Sequence, residues 1–246
     1  MLTYGCLDYT KAALSDLLAQ DVPLNILVII NKPPYFDETA QYLRDLDNPR
    51  IAVEERQDNL GVARGWNRGL HGIFGMYPHV QEVLVTGNDA RLRPDTYRRL
   101  AATPMVAGCV FTAHTPSLEA MLRDECTQPV GTPMWDGQTP DIGPAHLMRR
   151  WLFEGLDGYD EGFWPIYWDD VDFARRARLK YGAPLVTLPV PCFHSDGGSR
   201  WFKVSQEADD AHHALFIRCR ERYVRKWGAL PPDETFTVPF NGGKDE

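Results

Sequence analysis

Leu24-Asn25-Ile26-Leu27-Val28-Ile29-Ile30 is followed at once by the polar Asn31. An apolar run of that length, with nothing polar after Asn25, reads as a strand buried on both faces. Its flanks follow the same logic. Upstream, Thr10 to Gln20 places Ala13, Leu14, Leu17 and Leu18 on one helical face. Downstream, Asp37 caps a helix to Leu46 that turns Leu43 and Leu46 inward, and Ile51 to Glu55 alternates as a short strand. Gly61 to Met76 is again helical, with Val62, Trp66, Leu70, Ile73 and Phe74 on its stripe. Glu82 to Thr86 is a strand, Pro94 to Ala101 a helix opened by proline, and Met105 to Phe111 a buried strand. This alternation implies βαβ units and a mostly parallel central sheet covered by helices, an α/β fold.

Beyond residue 111 the character changes. Residues 112–165 are rich in Pro, Gly and Trp, with a single apolar segment, Ala145 to Phe153. Loop-heavy ground packed on a sheet is where functional groups concentrate. Asp170 to Tyr181 then reads as a helix, Leu185 to Val190 as a strand, and Gln206 to Trp227 as a long helix dense in arginine. With no internal repeat or low-complexity linker, residues 1–246 read as a single domain with two functional halves, 1–111 and 112–246.

The 26 Lys and Arg stand against 34 Asp and Glu, a formal charge of −8. That balance argues against a dedicated non-specific binder of nucleic acid or anionic membrane. Cys6, Cys109, Cys126, Cys192 and Cys219 form no Cys-x-x-Cys pair, which points away from a disulfide framework or a thiolate zinc site. A reducing compartment, the cytoplasm, is the expectation. Asp8, Lys11 and Asp16 stand where a signal peptide needs an apolar core, and no apolar run approaches the length of a membrane span.

In an open parallel sheet, ligands bind beyond the carboxyl ends of the strands. Here those ends carry Asn31, then Asp58 and Asn59, then Asn88 and Asp89. Such residues also serve turns, but three successive strand ends converge on amides and carboxylates. There is no G-x-x-x-x-G-K-[ST], and the turn Thr3 to Tyr9 holds no G-x-G-x-x-G. Gly69, Gly72 and Gly75 fall late in a helix, where tight packing on the sheet explains them. A bound diphosphate would therefore need a metal or arginines. Oxygen-rich surroundings suit Mg²⁺ or Mn²⁺, with Asp89 the natural carboxylate ligand.

A second acidic cluster, Tyr167-Trp168-Asp169-Asp170-Val171-Asp172, is costly unless a helix N-terminus, arginines or a cation compensates it. It reads either as an acidic helix cap or as a general base beside a metal–diphosphate pocket. His194 follows the last strand in a Gly-rich loop, as a metal ligand or as a satisfied surface residue. His212-His213 reads as structural. No G-x-S-x-G elbow appears, which disfavours serine hydrolase chemistry.

Taken in order, these segments resemble glycosyltransferase family 2. Gln57-Asp58-Asn59-Leu60-Gly61-Val62-Ala63-Arg64-Gly65-Trp66-Asn67-Arg68-Gly69 resembles its N-x-G-x-[AS]-x-[AG]-x-N-x-G segment. Thr86 to Asp95 is similar to its metal-binding stretch. Gly158-Tyr159-Asp160-Glu161-Gly162-Phe163 and then Asp169-Asp170-Val171-Asp172-Phe173-Ala174-Arg175-Arg176 are similar to G-x-F-D-E-x-F and E-D-x-D-x-x-x-R. The likeness runs from Thr3 to His194.

The resemblance implies a GT-A αβα sandwich, with a nucleotide-sugar-binding half at 1–111 and an acceptor-side half at 112–246. It implies a nucleotide-sugar donor (a UDP-, GDP- or dTDP-sugar), Mn²⁺ or Mg²⁺, and transfer to an acceptor hydroxyl with inversion. Carried onto this chain, Thr3 and Tyr4 open the nucleotide pocket, Asn31 stands where an Asp commonly meets the base, and Asn59 matches the next loop. Asp58, Arg64 and Asn88, within the same motifs, join the donor-binding set. Asp89 matches the last acid of D-x-D and His194 the late metal ligand. Asp170 matches the catalytic base, with Asp169 beside it. Gly87 replaces the first acid of D-x-D, so metal binding rests on Asp89.

Trp135, Trp164 and Trp168 are candidates to stack on an acceptor sugar or to pack the core, with Trp135 and Trp168 assigned to the acceptor. A glycan or other carbohydrate is the expected acceptor. A modified, hydroxylated base of DNA is the alternative, since Arg200, Lys203, Arg218, Arg220, Arg222, Arg225 and Lys226 could track phosphates. A catalytically inactive sugar-nucleotide-binding module is a further reading. A nucleotidyltransferase would need a basic N-terminal phosphate loop that Thr3 to Lys11 does not supply.

Overall fold

The computed structural model describes residues 1–33, 37–103, 109–115, 117–125, 145–182, 185–195 and 205–245. Strands β1 (Leu2–Thr3), β2 (Ile26–Ile30) and β3 (Ile51–Glu55) form a parallel sheet in that order. Helices α1 (Leu7–Leu18) and α2 (Thr39–Asp45) make the two crossovers, and α3 (Gly61–Met76) leads on to β4 (Glu82–Thr86). The quoted apolar run is covered on both sides, as its composition requires. Val28 and Ile30 pack with Leu14, Leu17 and Leu43 of α1 and α2. Ile29 and Leu2 instead meet α3, where a Cβ on Gly65 would stand 2.6 Å from Leu2 Cδ1 and one on Gly69 3.7 Å from Ile29 Cγ1. Gly65 is therefore the glycine that close packing demands. Gly72 and Gly75, expected to share that role, have nothing within 4 Å. Burial of Val28, Ile29 and Ile30 contributes roughly 1.5–3 kcal/mol per side chain.

The remaining strands are β5 (Ala90–Leu92), β6 (Cys109–Thr115), β7 (Ala145–Arg149) and β8 (Leu185–His194). With β4 they form a mixed sheet in the order β4-β7-β6-β8-β5. β6 and β8 run parallel, whereas β4–β7, β6–β7 and β5–β8 are antiparallel. Parallel pairing thus dominates only the N-terminal half. Between β4 and β5 stand only Gly87, Asn88 and Asp89, too few for the crossover that a parallel neighbour needs. A parallel bridge between Leu2 and Gly87 brings the end of β4 alongside β1.

Short helices α4 (Thr96–Ala101), α5 (Leu118–Leu122) and α6 (Arg150–Leu156) precede two longer ones, α7 (Asp169–Tyr181) and α8 (Gln206–Trp227). α3, α6 and α7 share a core of Leu70, Phe74, Leu152, Phe153, Phe173 and Ala177 with Val85 of β4 and Met148 of β7. The apolar segment Ala145 to Phe153 divides at Arg149, which pairs with Glu82, and Arg150, which donates to the carbonyls of Phe74, Tyr77 and Val80 at 2.8–2.9 Å. α8 closes the molecule by packing Cys219, Tyr223 and Trp227 against Phe163, Trp168 and Val171.

β8 runs four residues beyond the expected Val190. Its pairing with β6 shifts between Thr112 and Ala113, which face Leu188 and Pro191 respectively. That irregularity absorbs the Pro189-Val190-Pro191 sequence that reads as a strand end. The consequence is functional: Ala90 pairs with His194, so the late histidine arrives beside the loop after β4.

Candidate active site

The carboxyl ends of β1 to β4 share one edge, and most residues expected there are present, though several are occupied with structure. Asn31 is 2% exposed and spends its amide on the loop into α3, donating from Nδ2 to Gly61 O (3.1 Å) and accepting from Leu60 N at Oδ1 (3.3 Å). Asn88 is buried too, and its Nδ2 donates to Gly5 O (2.8 Å) and Thr10 Oγ1 (3.0 Å). Thr3 is equally buried, its hydroxyl 3.1 Å from that of Thr10. These three fix the turn after β1 and the loop before α3 rather than presenting polar groups outward.

Tyr4 and Asn59 are the outward pair. Their side chains share a hydrogen bond; burial pushes the Tyr4 phenol above its usual range, and the Asn59 contact pulls the other way. Asn59 Oδ1 also accepts from Gly61 N at 2.9 Å, and Gly61 takes φ of 76°, a conformation suited to glycine. A Cβ there would meet Pro165 O at 2.5 Å, so the start of α3 abuts the loop before α7. Asp58 is exposed, 3.6 Å from Arg56, and Arg64 lies 3.6 Å from Glu161.

Asp89 and His194, 105 residues apart, meet at 3.0 Å between Oδ2 and Nε2, both partly exposed. Ser195 N donates to Asp89 O at 3.0 Å, anchoring the two segments together. The missing acid at position 87 has a steric counterpart: a Cβ on Gly87 would stand 2.5 Å from Asp89 Oδ1. The carboxylate lies over the space that a side chain at 87 would need. A carboxylate oxygen and an imidazole nitrogen converging at an open edge are groups that could hold a divalent ion such as Mn²⁺. Among the described residues no cluster of three or more potential metal ligands occurs.

The acidic motif at the start of α7 separates into three environments. Asp172 is fully buried and structural: it binds Arg176 (2.8 Å), Lys226 (2.5 Å) and Trp227 Nε1 (2.9 Å). Asp169 is also interior, 3% exposed, with Oδ2 lacking a hydrogen bond. Burial first, and then the neighbouring Asp170, drive its carboxyl well above the ordinary range. It does not stand beside Asp170 as a second surface base. Asp170 is the half-buried member, with Oδ1 accepting Val171 N at 2.8 Å in the first turn of α7. The turn that delivers it is strained, since Tyr167 and Trp168 take φ of 81° and 69°.

Trp168, assigned above to the acceptor, is 3% exposed and packs against Phe216 and Tyr223. Its ring belongs to the core. Trp135 lies outside the described residues, as do Arg200 and Lys203. Of the basic residues on the arginine-rich helix, Arg220 and Arg225 are exposed, while three others have protein partners. Arg222 binds Asp160 (2.9 Å) and Asp245 (2.7 Å), Lys226 is 3% exposed between Asp160 and Asp172, and Arg218 donates to Trp164 O. His212 proves structural as expected, bonding the Tyr167 hydroxyl.

Sequence reading missed the fixed loop Trp164–Pro165. Trp164 Nε1 donates to Asn59 O at 3.1 Å, and Val62 N donates to Pro165 O at 2.7 Å. With Asn88 bonded to Gly5 and Tyr4 to Asn59, a continuous chain of contacts crosses the edge from the Asp89 loop to Trp164 in the loop before α7. The sequence offers Trp164 as a candidate stacking ring but carries no sign that its loop is fixed.

No family model matches this sequence, and no curated protein matches it. Its fold is nevertheless that of the GT-A glycosyltransferases. The mannosyltransferase PcManGT of Pyrobaculum calidifontis, solved with GDP-Man and Mn²⁺, superposes with TM-score 0.60 at 18% identity, covering 95% of this chain and 66% of that one. TarS residues 1–349 of S. aureus, solved with UDP, gives 0.55 at 15% identity over 82% of this chain and 62% of that one. GalNAc-T7, with UDP, GalNAc and Mn²⁺, gives 0.63 at 13% identity over 92% and 47%. The chain thus spans less than two thirds of the length of these structures. Among the described residues no helix is long and apolar enough to cross a membrane.

Proposed function

We propose that this chain is a glycosyltransferase that moves a sugar from a nucleotide-sugar donor to a hydroxyl of a carbohydrate acceptor, with inversion. The observation that carries the reading is the Asp89–His194 pair: two metal-ligating groups from distant segments meet at 3.0 Å on the edge that also presents Tyr4 and Asn59. The solved GT-A neighbours with bound UDP or GDP-Man support that class of donor.

Asp89 and His194 would hold a Mn²⁺ or Mg²⁺ ion, which when bound neutralises charge on a departing diphosphate. Tyr4 and Asn59 would contact the nucleoside. Asp170 would take the proton from the acceptor hydroxyl as its oxygen attacks the anomeric carbon, from the face opposite the leaving nucleoside diphosphate. Asp169, whose carboxyl burial and the neighbouring Asp170 push upward, lies in the interior and is the less suited of the two to serve as that base. With Arg222 and Lys226 spent on internal partners, a carbohydrate acceptor is better supported than DNA.

The test is a thermal-shift panel of UDP-, GDP- and dTDP-sugars with and without Mn²⁺, followed by assay of nucleoside diphosphate release. One donor class should raise the unfolding temperature, more so with Mn²⁺, and be hydrolysed slowly without acceptor. Binding without release would favour the inactive sugar-nucleotide module; no binding at all would overturn the reading. Asp170→Asn should lower turnover about 10²–10⁴-fold while retaining donor binding.

A further inference from the structure

We propose that Trp164 is the platform on which the acceptor's sugar ring stacks, which defines the acceptor as a carbohydrate recognised through its C–H face. This rests on the transferase reading above. Trp164 remains 40% exposed although it is fixed on several sides. Its Nε1 donates to Asn59 O at 3.1 Å, its carbonyl accepts from Arg218, and the Arg218 guanidinium lies 5.8 Å from the ring centroid. The following Pro165 is itself bonded to Val62 at 2.7 Å. An indole whose polar atom is already satisfied has only apolar surface left to offer. Held rigid and open, such a ring is a preorganised binding surface, with little side-chain freedom to lose on contact.

Location selects the occupant. Among the described residues the other large exposed aromatic side chains are Tyr77, Trp151 and Tyr181. Tyr77 ends α3, the end opposite Gly61, and Trp151 packs edge-on against Tyr181 at the end of α7 opposite Asp170. Trp164 alone stands on the working edge, between Asn59 and the turn that presents Asp170. The C–H groups of a pyranose carry partial positive charge and complement the negative face of an indole.

The test uses the intact protein with saturating UDP or GDP, whichever binds, and reads contact of methyl α-mannopyranoside, methyl β-galactopyranoside and methyl β-glucopyranoside by saturation-transfer NMR. At least one should bind, and Trp164→Ala should weaken it about tenfold, a larger effect than the variant has on nucleotide affinity. Trp164→Phe, which loses the bond to Asn59 but keeps a ring, should bind the glycoside nearly as the wild type does. Trp164→Leu, bulky and apolar but without a ring, serves if the alanine variant misfolds and should weaken the glycoside likewise. Glycoside binding that survives in the alanine or leucine variant, or absence of binding to the wild type, would overturn the proposal while leaving donor hydrolysis intact. Weakened nucleotide binding in Trp164→Phe and Trp164→Ala alike would reassign the ring to the donor and overturn it equally. Failure of the transferase reading is distinct, since the wild type would then neither bind nor hydrolyse a nucleotide-sugar.

Discussion

Gly87→Ala separates the stability of the fold from the competence of the site. A methyl group at 87 would stand 2.5 Å from Asp89 Oδ1, whereas ordinary contact begins near 3.4 Å, so the carboxylate must retreat by roughly 0.9 Å. The next nearest atoms, Asp89 Cγ and N, are 3.6 and 3.9 Å away, so nothing in the core has to move. The unfolding free energy should therefore change by less than about 1 kcal/mol. The site fares worse. A shift of that size carries Oδ2 out of its 3.0 Å contact with His194, and metal coordination tolerates only a few tenths of an ångström. Loss of one of the two proposed protein ligands should weaken Mn²⁺-dependent nucleotide binding about 100-fold, or about 2.7 kcal/mol. Differential scanning fluorimetry with UDP or GDP, with and without Mn²⁺, reads both quantities on one sample. The reasoning is refuted if the variant keeps the full Mn²⁺-dependent increment, for then Asp89 does not bind from the conformation described. A large loss of stability without ligand would also count against it.

Other expectations concern the interior. His146 is fully buried, accepts or donates a hydrogen bond with Tyr159 Oη at 2.8 Å, and is pushed by burial from 6.5 down to about 3. Its depressed value means that the unfolded chain takes up a proton below pH 6.5 that the folded chain refuses. Stability is therefore present above that pH and is lost progressively toward pH 3, by about 2 kcal/mol at pH 5. Urea unfolding at pH 7.5 and 5.0 should show that loss, and His146→Gln should reduce it; equal pH slopes in both proteins would exclude His146 as the cause. Lys226→Met leaves Asp160 and Asp172 without their shared cation and should cost about 3 kcal/mol by urea unfolding. A cost within 0.5 kcal/mol, on the order of a surface change, would show that Arg222 and Arg176 suffice.

The helix–strand alternation was legible because burial on both faces leaves a composition signature. β3, α3, β4 and α8 begin and end at the expected residues. Where tertiary structure overrode local pattern, the reading shifted. Two prolines near the end of β8 suggested an early stop, yet the shifted pairing with β6 carries the strand to His194. The site was legible in part: Asp89, His194 and Asn59 stand out as polar groups at or just past strand ends, Asp89 meets His194, and Asn59 meets Gly61 and Trp164. Asn31 and Asn88 were read as ligands because an amide at a strand end can equally bind a guest or the backbone. Only coordinates reveal which loop has already claimed it. Trp168 failed for a related reason, since an indole beside an acidic motif gives no sign of which way it faces.

The acidic motif shows how one short stretch serves two purposes. Asp172 is two residues from Asp170, yet it lies at 0% exposure under Lys226, Arg176 and Trp227. That network ties the first turn of α7 to α8, and Lys226 extends it to Asp160, which Arg222 also binds. Burial alone would raise the Asp160 carboxyl, but Lys226 and Arg222 outweigh it and hold the group down at about 2. It thus remains charged and bound at any neutral pH. A second contact from α8, His212 to Tyr167, holds the strained residue just before Trp168. The arginine-rich helix is thus explained by what it clamps. An isolated turn with two consecutive non-glycine residues at positive φ would relax, and Asp170 would lose its fixed direction. Anchored from below through Asp172 and from the side through Tyr167, the turn keeps Asp170 in a fixed direction at the start of α7.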